Sequence, residues 1–200
     1  GIDDYVDFSQ STIDEMGSLT KGTIAFWFKF SSLLDTQVIM PIFYFGMESG
    51  SDNMYIIELG HAAGTEGGYD PNVAIGTPDP GNKMIYATWV KNNNQNPFLC
   101  FDSNKDLDED KWYHYAVVVG ADGNTGYLDG VEMADRDYNF GNANDKSFLS
   151  SIPVKKKFTL GYGKSSSGIS PDFSYFKGAL DDVRIYDKTL SADEVKGLSS

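Results

Sequence analysis

Cys100 is the single cysteine among 200 residues, so no intrachain disulfide can staple the fold. Its neighbours Phe98, Leu99 and Phe101 suit an inert buried thiol rather than a nucleophile. Histidine is nearly as scarce, since only His61 and His114 are present. Two isolated histidines and one cysteine cannot assemble a zinc site of the ordinary ligand type. Basic residues number 16 against 29 acidic ones, for a net charge of −13. A surface of that sign repels phosphate backbones and anionic headgroups, which argues against nucleic acid and membrane partners. No apolar run approaches the roughly 18–20 residues of a membrane-spanning helix. No leader-like segment is visible, and Gly1 runs at once into strand-like sequence. The expectation is therefore one domain of a longer, multidomain secreted protein.

What the chain does contain points to β-structure. Residues of apolar type make up 40% and aromatics 14%, enough for a substantial core. The 21 glycines and 7 prolines are scattered, as many short strands joined by tight turns require. In Thr23–Phe30 the residues Ile24, Phe26, Phe28 and Phe30 alternate onto one face, with Ala25, Trp27 and Lys29 on the other. The first set predicts core; Trp27 then needs cover from a loop, a chain terminus or a ligand. Val38–Phe45, Met54–Leu59, Lys83–Lys91, residues 112–119, Lys157–Gly161 and Gly178–Tyr186 read as further strands. Gly120–Gly126 reads as a turn cluster. Asp129-Gly130, between Tyr127-Leu128 and Val131, is a favoured pair for a tight hairpin. Only the C-terminus looks helical, where Ser191 and Glu194 have capping-box spacing and Leu190 and Val195 can staple the first turn. No repeat or linker divides the chain, so residues 1–200 read as one domain.

The order of these motifs resembles the bacterial laminin G-like group of the concanavalin A-like lectin and glucanase superfamily. The resemblance is carried by Asp4-Tyr5-Val6, Thr23–Lys29, Trp112-Tyr113-His114-Tyr115-Ala116, Tyr127–Val131, Phe158–Gly161, Gly178–Tyr186 and Leu190–Val195. It implies an all-β fold, a two-sheet antiparallel jelly-roll sandwich with a short C-terminal helix. It does not imply one function, because sugar-binding modules, adhesion domains, hydrolases and lyases share the fold.

The resemblance also implies a structural calcium ion where the N-terminal strand meets the last long strand. The candidate ligands there are Asp3, Asp4, Asp181 and Asp182. Calcium takes about six to eight oxygens, and carboxylates gathered without a cation repel one another. Strand alternation predicts Asp181 inward with Val183 and Ile185, and Asp182 outward with Arg184. An inward carboxylate without a partner is costly, which makes Asp181 the preferred ligand. The run Asp102–Asp110 imitates the start of an EF-hand loop, but Leu107 stands where the turn needs glycine and Tyr113 where a glutamate must close it.

Catalytic patterns are missing. Retaining glycosidases on this fold aim alternating acids from one strand into a cleft, about 5–5.5 Å apart. Glu58 stands alone in its strand, and no strained Gly-x-Ser-x-Gly elbow occurs. Sugar binding instead draws on aromatic faces beside amides and acids. Trp89 followed by Asn92 and Asn94, with Tyr69 in a glycine-rich stretch, forms the preferred carbohydrate site. Tyr138, Phe140, Tyr162, Phe173 and Tyr175 are further candidates. The expectation is a non-catalytic carbohydrate-binding module, extracellular or at the cell surface, with a poly- or oligosaccharide partner. The alternatives are a protein-binding adhesion domain of the same fold, and a glycan-active hydrolase or lyase whose site is unrecognised.

Overall fold

The computed structural model describes residues 4–31, 39–48, 53–61, 82–90, 99–164 and 173–200. The strands are β1 (Val6–Asp7), β2 (Gly22–Phe30), β3 (Ile39–Gly46), β4 (Asn53–His61), β5 (Asn82–Val90), β6 (Leu99–Asp102) and β7 (Tyr113–Gly120). They continue with β8 (Gly123–Leu128), β9 (Val131–Glu132), β10 (Asp137–Phe140), β11 (Lys157–Leu160), β12 (Tyr162–Lys164), β13 (Phe173–Tyr175) and β14 (Gly178–Tyr186). The described residues also form two short α-helices, α1 (Gln10–Met16) and α2 (Ala192–Leu198), and a 3-10 turn at Leu149–Ser151. A seven-stranded antiparallel sheet runs β1-β11-β3-β4-β5-β6-β10, and a five-stranded one runs β14-β2-β7-β8-β9. The pair β12-β13 stands apart as a small ribbon. This is the expected sandwich.

Between the sheets lies a core rich in aromatic rings. Phe26 and Phe28 from β2 meet Tyr113 and Tyr115 from β7, while Phe43, Tyr55, Tyr86 and Phe101 come from the other sheet. Some rings pack edge-on, as for Tyr55 and Tyr86 with centroids 5.2 Å apart at 83°, and others stack, as for Phe28 and Tyr113 at 28°. Ile24, Phe26, Phe28, Val117 and Val119 are fully buried as the alternation predicts. Val183 and Ile185 pack against the same core but stay half-buried, because β14 is an edge strand.

The outer face of the five-stranded sheet is covered where its side chains are smallest. Ala25 and Ala116 pair across β2 and β7, and α2 settles into the hollow they leave. Leu190 and Val195 fill it together with Tyr127. Ser191 accepts the Glu194 backbone N–H at 3.2 Å, and the Glu194 carboxylate accepts the Ser191 N–H at 2.8 Å. The capping box is therefore present, and it lets a seven-residue helix form on a packed face. The Asp129-Gly130 hairpin is present too, with φ of +51° and +73°.

Several elements differ from the expectation. The helix α1 was not anticipated: Ser9 caps it by accepting the Thr12 N–H, and Ile13 is its one buried residue. So sparse an apolar stripe leaves little helical periodicity to read. Gly123–Gly126, expected as turn, begins strand β8, which runs on through the expected strand residues Tyr127 and Leu128 and pairs with β7. Gly123 enters it at φ +107°, and a Cβ there would lie 1.9 Å from the Ala143 carbonyl oxygen. The glycine marks a close backbone approach rather than a turn. Strands β6, β10, β12 and β13 are likewise additions, four residues or fewer each.

Candidate functional site

One cleft of about 420 Å3 opens where the β1–β11 edge of one sheet approaches β14, the edge of the other. Its floor is apolar, made by Leu160, Phe176, Leu180 and Val183. Its rim carries Asp4, Tyr5, Asp181 and Asp182. Volume, apolar floor and a few polar groups are the ordinary attributes of a small-ligand site.

Two glycines shape this opening. Gly161, at φ +75°, turns the chain from β11 into β12, and its N–H donates to the Ile42 carbonyl. Gly178 begins β14 so close to β2 that a Cβ would lie 2.1 Å from the Lys29 carbonyl oxygen. The turn at Gly161 delivers Tyr162 beside Tyr5, with ring centroids 4.7 Å apart. Tyr175 completes the cluster, 4.7 Å from Tyr162 and 6.0 Å from Tyr5. Tyr5 keeps 43% of its surface exposed, so an aromatic face meets solvent at the lip of the cleft. The Lys157 ammonium sits about 6 Å from the Tyr5 and Tyr162 rings and pairs with Asp7 at 3.3 Å.

The acidic rim corrects the alternation argument. In the β14–β2 register, Leu180 opposes Phe28, Asp181 opposes Trp27 and Arg184 opposes Ala25. Asp182 and Val183 together therefore face Phe26, a two-against-one bulge with Asp182 at φ +48°. The extra residue reverses the face on which each side chain lies. Asp181 is exposed on the outer surface, not inward as expected, while Val183 and Ile185 still reach the core. Asp181 accepts the Asp182 N–H at 2.8 Å. Asp182 is gripped by Arg184, Nε to Oδ1 and the second amino group to Oδ2, both at 2.7 Å. That hydrogen-bonded pairing, aided by the Tyr186 hydroxyl, raises the Arg184 pKa above its ordinary value.

Asp4, Asp181 and Asp182 thus line one cleft, as the calcium expectation required, while Asp3 lies outside the described residues. Calcium needs about six to eight oxygens at short range. Among the described residues no three acidic, histidine or cysteine side chains converge on one metal position. Asp182 is already held by Arg184. The described carboxylates do not by themselves form a calcium cage.

The carbohydrate candidates divide differently. Tyr69, Asn92 and Asn94 lie outside the described residues, and of Trp89 only the backbone is described, paired with Met54. Tyr138 packs against the core, its hydroxyl donating to Asn124 at 2.8 Å. Tyr162 and Tyr175 do join at the surface, around Tyr5 of the Asp4-Tyr5-Val6 motif. His114 is buried, and its Nδ1 has no hydrogen-bond partner among the described residues. Only its backbone N–H is engaged by a side chain, donating to the Asp129 carboxylate at 2.9 Å. Burial lowers the imidazole pKa below its usual value; Asp129 and Asp182 oppose the shift and Arg184 adds to it. The neighbouring Trp27 ring meets it edge-on at 5.4 Å.

The register also places Glu58 and Asp102 on one row of the seven-stranded sheet, across position 85. A search along single strands cannot find such a pair. Both are fully buried.

Residues 1–196 match the family model described as the concanavalin A-like lectin/glucanases superfamily, a laminin G group. The chain belongs to this superfamily. No curated protein matches it. Among solved structures, this laminin G-type domain is similar to the CBM40 of the Ruminococcus gnavus IT-sialidase, bound to α2,3 sialyllactose. That similarity has a TM-score of 0.66 at 13% identity, covering 99% of this chain and 97% of the other. It is also similar to domain 4 of AbnA, an extracellular GH43 arabinanase from Geobacillus stearothermophilus in complex with arabinotriose. There the TM-score is 0.52 at 19% identity, over 92% of this chain and 69% of the other. A SAP-like pentraxin from Limulus polyphemus gives 0.53 at 17%, over 91% and 70%. At such identities the likeness is one of fold.

Proposed function

We propose that the domain is a non-catalytic carbohydrate-binding module and that the cleft beside Tyr5 is its binding site. The observation that carries this reading is the half-exposed Tyr5–Tyr162–Tyr175 cluster at the lip of an apolar cleft with a carboxylate rim. A pyranose ring is apolar on its faces and polar at its edges, so it matches a ring to stack on and carboxylates to accept hydrogen bonds from its hydroxyls. Glycan-bound modules among proteins of this shape, with sialyllactose and arabinotriose as their ligands, support the reading.

A single stacking face contributes little after ordering costs, so affinity falls in roughly the micromolar to millimolar range. Such a module serves by avidity, holding a larger protein against a polymer. Calorimetry against a panel of neutral, acidic and basic oligosaccharides tests it. Tyr5→Ala weakens binding of whichever glycan is found while the melting temperature stays near that of the parent, because Tyr5 is a surface residue. Silence across the whole panel, or steady release of new reducing ends, overturns the reading.

A further inference from the structure

Resting on the glycan-binding reading, we infer that the cleft selects a basic amino sugar, with the ring stacked on Tyr5 and the ammonium drawn to the rim carboxylate of Asp181. Three observations combine. The cleft is a bounded cavity with an apolar floor formed by Leu160, Leu180 and Phe176, so it offers a seat and not merely a charged patch. Its lip is an aromatic face open to solvent, which attracts both sugar C–H groups and cations. At Asp181 the rim carries a negative charge that no cation among the described residues pairs.

That charge follows from the ion pairs. Asp182 is neutralised by Arg184 through two contacts of 2.7 Å, and Asp7 by Lys157 at 3.3 Å. Asp181 has no cationic partner among the described residues; its carboxylate accepts the Asp182 N–H at 2.8 Å. The bulge keeps this side chain out of the core, exposed at the surface where the residue borders the cleft. The chain as a whole, at a net charge of −13, deepens the same field. A sugar bearing a carboxylate meets repulsion here, a neutral sugar gains only stacking and hydroxyl bonds, and a protonated amine gains a charge-assisted hydrogen bond as well.

The test uses the whole chain and three probes in calorimetry at slightly acidic pH: a glucosamine trimer, the N-acetylglucosamine trimer and 3′-sialyllactose. The glucosamine trimer binds about tenfold more tightly than its acetylated form, the gain expected of a hydrogen bond to a charged group. Raising the salt concentration narrows that gap. Asp181→Asn removes the preference, bringing the two trimers to similar affinity, while leaving the melting temperature unchanged. Tyr5→Ala weakens both trimers alike. Equal binding of the two trimers, or a preference for sialyllactose, overturns the amino-sugar inference and leaves the glycan-binding reading standing. Failure of all three probes, with the wider panel silent too, overturns both. Saturable calcium binding that raises the melting temperature, is lost in Asp181→Asn and excludes the glucosamine trimer would make the cleft a metal site and overturn the inference.

Discussion

Arg184 holds Asp182 through two hydrogen-bonded contacts of 2.7 Å, clasping the bulge that interrupts the pairing of β14 with β2. Asp182 is the inserted residue and adopts φ +48°, a conformation that aspartate tolerates better than bulkier side chains. The clasp and the bulge are one device: it sets β14 so that Asp181 is exposed and Val183 packs against the core. Extended pairing without the extra residue would put Asp181 on the same side as Val183 and Ile185, a carboxylate against apolar side chains.

The backbone at position 182 therefore matters more than its charge. Asp182→Val costs about 1–2 kcal/mol, the strain of a β-branched residue in the left-handed region. Asp182→Gly, which loses the clasp but accepts the backbone, stays close to the parent in urea unfolding. Equal destabilisation by the two substitutions would show that the ion pair, not the bulge, dominates.

Helix α2 depends on the Ala25–Ala116 hollow. Ala116 is completely buried beneath it, so Ala116→Leu overpacks the seat by three carbons and costs about 1–3 kcal/mol. Ser191→Ala removes the acceptor for the Glu194 N–H and costs about 0.5–2 kcal/mol. Both act on one helix, so the double variant loses less than the sum of the two losses once α2 has already undocked. Denaturant midpoints for the two single variants and the double variant check this.

His114 supplies a pH dependence. Burial holds its folded-state pKa below the 6.5 of an exposed imidazole, so the folded protein prefers the neutral ring. The groups acting on it are Asp129 and Asp182, which favour the proton, and Arg184, which disfavours it. Above pH 6.5 both states are neutral and the full stability is present. As pH falls from 6.5 toward the folded-state value, the unfolded chain binds the proton first and stability declines. Urea midpoints at pH 7.5 and 5.5 should differ in that sense, and His114→Gln should flatten the difference. An unchanged slope in the variant would assign the effect to other groups.

What the sequence determined by itself is what short-range chemistry decides. The alternation of Ile24, Phe26 and Phe28 against Ala25 and Trp27 suffices to name a strand and its buried face. Asp129-Gly130 names its turn because the two residues accept positive φ, and Ser191 with Glu194 names a helix start because each satisfies the other's backbone N–H. Lone Cys100 reads as buried from its apolar neighbours, and it is. The spacing of these signals along the chain carried the superfamily as well.

The tertiary structure decided everything that needs two distant segments at once. A bulge is a mismatch between partners, so nothing in Asp181–Arg184 alone reveals that alternation fails there; it appears only against Trp27, Phe26 and Ala25. Tyr5, Tyr162 and Tyr175 come from three separate stretches and meet only because β1 pairs with β11 and β12 with β13. Helix α1, with a single buried side chain, is held by its Ser9 cap and its seat rather than by an amphipathic pattern. Periodicity specifies which face of a strand is buried; the cleft lies between sheet edges, where long-range pairing and not periodicity sets which side chains meet.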